Sequence, residues 1–138
     1  MTENVKTANK FMLIGEDDID DKEILEEIFE SIDLSIQLEF INSGEKLVNY
    51  LEVVEEDKLP CLIILDYNMP DLNGAEILEC LQENERVKSI PKMIWSTSNA
   101  PAYKNRCLEL GACDYLVKPS RIKDLENMLR HMLSYCAL

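Results

Sequence analysis

Four short apolar runs recur along the chain: Phe11–Ile14 (FMLI), Cys61–Leu65 (CLIIL), Met93–Trp95 (MIW) and Tyr115–Val117 (YLV). Each is too short for a buried helix and is bounded by polar or turn residues, the pattern of strands covered on both faces of a parallel sheet. A fifth stretch, Ile36–Ile41, alternates before it turns apolar. Between the runs the apolar residues take helical spacing: Ile24, Leu25, Ile28 and Ile32; Leu47, Tyr50, Leu51 and Val54; Ile77, Leu78 and Leu81; Tyr103, Cys107 and Leu110, the weakest; and Leu125, Met128, Leu129, Met132 and Leu133. Strand then helix, five times over, predicts an α/β domain with helices on both faces of the sheet.

Turn chemistry marks the same boundaries. Asn42-Ser-Gly44 and Pro70–Gly74 close the second and third strands, and Pro119 follows the fifth with Ser120 near the last helix start. The elements consume the chain, so one domain is expected over residues 1–138, with its core at about 10–134 and no effector domain. No apolar run is long enough to span a bilayer and no signal peptide is legible, which predicts a cytoplasmic protein without membrane insertion. Eighteen acids against five bases in residues 1–69 carry the whole net charge of −13. So acidic a chain is repelled by phosphate backbones, which disfavours direct nucleic-acid binding. Five cysteines without a C-x-x-C pair, and His131 as the lone histidine, argue against a disulfide framework or a thiol zinc site. Cys61 and Cys113 are expected as small core residues in a reducing compartment.

In an open parallel sheet, ligands bind beyond the carboxyl ends of the strands. Those ends carry Glu16-Asp17-Asp18, Asp66, Ser96-Thr97 and Lys118. Singly, each has an ordinary explanation: helix N-terminal acids (Asp20, Asp21 and Glu23 continue the run), a cap, an exposed strand-end charge. Together they place carboxylates, a hydroxyl and a lysine on one rim. Clustered carboxylates repel unless a hard cation lies between them, and oxygen donors with room for water suit Mg²⁺. A carboxylate can act as a nucleophile and form an aspartyl phosphate.

Residues 62–74 (LIILDYNMPDLNG), with Glu16-Asp17, Ser96 and residues 111–119 (GACDYLVKP), resemble the receiver domains of two-component response regulators in order and spacing, and the resemblance runs from about Lys10 to about Leu133. It implies a doubly wound, flavodoxin-like sheet of five parallel strands in order 2-1-3-4-5 with five helices. It implies Asp66 as phosphoacceptor, Asp17 and Asp66 as Mg²⁺ ligands with Glu16 acting mostly through water, and Asn68 offering its backbone carbonyl. It further implies Lys118 as the cation on the phosphoryl group, a cis bond to Pro119, Ser96 as the switch hydroxyl and Tyr115 as a ring that turns inward on phosphorylation. Thr97 competes with Ser96; spacing from Asp66 and Lys118 favours Ser96. The chain departs from the pattern at Gly15, where the first strand is expected to bend or stop early, at Glu16 in place of Asp, and over 45–59, where extra residues predict a longer second helix and loop.

The function so implied is that of a stand-alone response regulator. It would take a phosphoryl group from a sensor histidine kinase or a histidine phosphotransfer protein, catalyse its own phosphorylation and dephosphorylation, and signal by protein contact through helix 4, strand 5 and helix 5. The alternative is a phosphorelay shuttle or phosphate sink without conformational output. A dehalogenase-type phosphatase would want a second Asp where Asn68 stands, and no phosphate-cradling Gly-rich loop is present.

Overall fold

The structure is a computed structural model that describes residues 10–32 and 35–136. Elements alternate from β1 (Phe11–Gly15) and α1 (Ile19–Glu30) through β2 (Gln37–Ile41), α2 (Gly44–Val53), β3 (Leu62–Asp66), α3 (Gly74–Gln82), β4 (Lys92–Ser96) and α4 (Pro101–Glu109) to β5 (Asp114–Val117) and α5 (Ile122–Leu133). All strand pairs are parallel, in the order β2-β1-β3-β4-β5. This is the expected fold. Because strand side chains alternate, each central run feeds two cores. Leu13, Ile63, Leu65 and Ile94 pack with Leu47, Leu51, Ile77 and Leu81 on one face. Met12, Ile14, Leu62, Ile64 and Trp95 pack with Leu25, Ile28, Leu129 and Met132 on the other.

Several expectations change. Gly15 stays within β1, and its reason is room: a Cβ there would lie 3.0 Å from Leu47 Cδ1 and 3.2 Å from Met69 Cε. Over 45–59, α2 stops at Val53 and the loop after it carries one 3₁₀ turn, Glu56–Lys58. Arg86 holds that end of α2, donating to the carbonyls of Leu51, Glu52 and Val54. Ser120 does not cap α5, which runs from Ile122 with Arg121 as an N-cap that makes no side-chain capping bond.

The cysteine reading is overturned. Cys61 and Cys136 form a disulfide, Cα–Cα 5.3 Å, across 75 residues of sequence. An odd count hides such a pair, and only the return of α5 to the foot of β3 brings the two together. The pairing removes the thiol argument for a reducing compartment. Cys113 is exposed, and Cys107 on α4 is the buried free thiol. No described helix is long and apolar enough to cross a membrane.

Candidate functional site

The ends of four strands, β1, β3, β4 and β5, deliver the site. β1 ends at Gly15, and the chain turns into α1 through Glu16, Asp17 and Asp18. Asp18 is the N-cap, its carboxylate accepting the Asp21 N–H at 3.1 Å. Glu16 points inward: it is 2% exposed, and its Oε2 accepts the Asp18 N–H at 3.0 Å. Asp66 ends β3, is 5% exposed, and its Oδ1 accepts the Asn68 N–H at 3.1 Å. Lys118, just past β5, is anchored through its backbone N–H on the Ser96 carbonyl at 2.7 Å.

The Lys118 ammonium donates to three carboxylates: Asp21 Oδ2 at 2.8 Å, Asp66 Oδ2 at 3.0 Å and Glu16 Oε1 at 3.2 Å. It also lies 4.5 Å from the centre of the Trp95 ring. Burial alone would lower the lysine, but its bonds to Asp21 and Asp66 and the charges of Asp66 and Glu16 outweigh that and hold it above its ordinary value. Burial acts most strongly on Glu16; with a hydrogen bond and the charge of Asp66 it pushes that carboxyl up to about 8, against the Asp18 N–H and Lys118. One cation is therefore shared among more carboxylates than it can neutralise.

Carboxylate oxygens of Glu16, Asp17 and Asp66 all lie within 4.8 Å of one another, with Asp17 exposed. Hard oxygen donors at that separation, one of them open to water, fit a divalent cation of the Mg²⁺ or Mn²⁺ kind. Asp17, Asp66, Asn68, Thr97 and Lys118 line an open cavity of about 560 Å³.

The hydroxyl and aromatic positions are less simple. Ser96 is fully buried and its Oγ accepts the Ser98 N–H at 3.0 Å, while Thr97 faces the cavity. The expected inward turn of Tyr115 is already made: the ring is 5% exposed and its hydroxyl donates to the Ser98 carbonyl at 2.9 Å. The expected cis bond to Pro119 is trans, as is every peptide among the described residues.

Two contacts had no sequence signal that set them apart. Asp21 sits in a run of helix N-terminal acids, and only the packing of α1 against the rim distinguishes it. Tyr67, next to Asp66, stacks on Tyr103 of α4 with ring centres 4.7 Å apart, joining the β3–α3 loop to that helix.

Residues 12–130 match the response regulator receiver domain family. The chain belongs to that family. Among curated relatives it is 31% identical to the two-component response regulator ARR8 of Arabidopsis thaliana, covering 94% of this chain and 64% of that one. It is 30% identical to ORR3 of Oryza sativa subsp. indica, covering 96% and 97%. Solved receiver structures give the same fold. The Mn²⁺-bound form of response regulator Rcp1 superposes with a TM-score of 0.79 at 28% identity, over 92% of this chain and 94% of that one. RPA3017, described as a response regulator in red light signalling of R. palustris, does so with a TM-score of 0.80 at 30% identity, over 91% and 92%.

Proposed function

We propose that this receiver domain accepts a phosphoryl group on Asp66 from the phosphohistidine of a sensor histidine kinase or a histidine phosphotransfer protein. The observation that carries the reading is the bonding of Lys118 to Asp66 and Glu16 with Asp17 alongside. In the transfer, an oxygen of the Asp66 carboxylate attacks phosphorus; the P–N bond breaks and its electron pair leaves with the donor imidazole. Water attacking phosphorus later returns the carboxylate and inorganic phosphate. Asp17, Asp66 and the Asn68 carbonyl would hold Mg²⁺, with Glu16 acting through water, and the ion would supply charge neutralisation. Lys118 meets the phosphoryl oxygens from the other side. Ser96, released from Ser98, offers its hydroxyl as the switch contact.

Output runs through the α4–β5–α5 face, where Tyr103, Leu108, Val117 and Ile122 leave apolar surface exposed for a protein partner. A shuttle or sink role has one observation in its favour. Tyr115 is already inward, so its ring has no inward travel left to signal with.

Incubation with acetyl phosphate and Mg²⁺ followed by intact mass tests the assignment. One phosphoryl adduct is expected, absent without Mg²⁺ and absent in Asp66→Asn. An adduct that persists in Asp66→Asn, or none in the parent, overturns it.

A further inference from the structure

An ammonium group has three N–H donors, and Lys118 has placed one on each of three carboxylates. If Asp66 is the phosphoacceptor, as proposed above, two of those acceptors are claimed during the reaction. Asp66 gains a bond to phosphorus, and Glu16 belongs to the metal side of the cluster. Asp21 is the remaining partner, and it makes the shortest bond, 2.8 Å. It is also held from behind. Its backbone N–H donates to the Asp18 carboxylate, so its place in the first turn of α1 is set by the cap and not by its own side chain.

We propose that Asp21 is a positioning residue that braces Lys118 against α1 while the phosphoryl group is transferred. With one N–H fixed on Asp21 and the ammonium resting over the Trp95 ring, the other two N–H groups are aimed at the phosphoryl oxygens that replace the Asp66 and Glu16 contacts. The lysine thus enters the transfer already oriented. The opposite role would be competition, with Asp21 drawing Lys118 away from the phosphoryl group. The two roles differ in sign.

The experiment compares the parent with Asp21→Ala, Asp21→Asn and Asp20→Ala, a neighbouring exposed acid on the same helix. Phosphorylation by acetyl phosphate at fixed Mg²⁺ is followed by intact mass, with thermal melting as the check on folding. Asp21→Ala should slow phosphorylation about tenfold, the scale of one charge-assisted hydrogen bond. Asp21→Asn keeps an acceptor oxygen and should recover a large part of the rate, whereas Asp20→Ala should match the parent. Both alanine variants remove a first-turn acid of α1, so any melting loss from the helix dipole appears in Asp20→Ala too and is discounted by that comparison. A rate in Asp21→Ala equal to or above the parent's overturns the brace, and so does an equal loss in Asp20→Ala. Absence of any adduct on the parent overturns the Asp66 assignment instead.

Discussion

The two ends of the sheet use charge in opposite ways. At the foot, where strands begin, cations donate to neutral carbonyls: Arg86 to the last turn of α2, Lys92 to Val87 at 2.6 Å, Lys10 to Cys136 at 3.2 Å. The disulfide closes the same end. At the rim, where strands finish, Glu16, Asp66 and Ser96 are buried polar groups, and a single lysine serves three carboxylates. The foot satisfies what it buries. The rim holds a conflict that a divalent cation can relieve, and that arrangement suits a site whose state must change. Buried ion pairs seldom add net stability, because desolvation offsets attraction.

Removing the rim's cation should break this contrast most severely. Lys118→Ala leaves the buried Asp66 carboxylate beside Glu16 without its counter-charge, at a cost of about 3–5 kcal/mol in metal-free protein. Millimolar Mg²⁺ should restore part of that loss by mass action. Denaturant unfolding with and without Mg²⁺ measures both, and an unchanged midpoint in the variant would mean that the rim holds no conflict.

The foot should respond in stability alone. Cys136→Ser opens a crosslink spanning 75 residues and should cost about 2–4 kcal/mol. The rate of phosphorylation by acetyl phosphate should stay at the parent's value. A variant that melts like the parent, or that loses phosphorylation, would show that the two ends are not separate in this way.

The finest distinction is a pH slope. Burial holds the Glu16 carboxyl at about 8 in the folded chain against an ordinary 4.5, so between those values the folded state keeps a proton that the unfolded state has lost. Stability of the metal-free protein should therefore fall as pH rises from about 5 to 8, by at most about 1.4 kcal/mol per unit from this group. Glu16→Gln should flatten the curve. Equal slopes in parent and variant would remove Glu16 as the source.

The sequence by itself determined the sheet, because each strand and helix is written in the spacing of near neighbours. FMLI, CLIIL, MIW and YLV alternate into two cores whatever else the chain does, and the residues that follow a strand must lie at its carboxyl end. Glu16, Asp66, Ser96 and Lys118 were legible for that reason. Gly15 stands out in the sequence and suggests a bend or an early stop, but its cause, the Leu47 and Met69 side chains, lies 32 and 54 residues away in the chain. The Cys61–Cys136 bond, the place of Tyr115 beneath Ser98, and the choice of Asp21 over Asp20 by Lys118 were decided only in three dimensions. Each depends on how far a helix is rotated and shifted as it packs onto the sheet. That setting comes from the summed fit of many side chains, and no local pattern of residues encodes it.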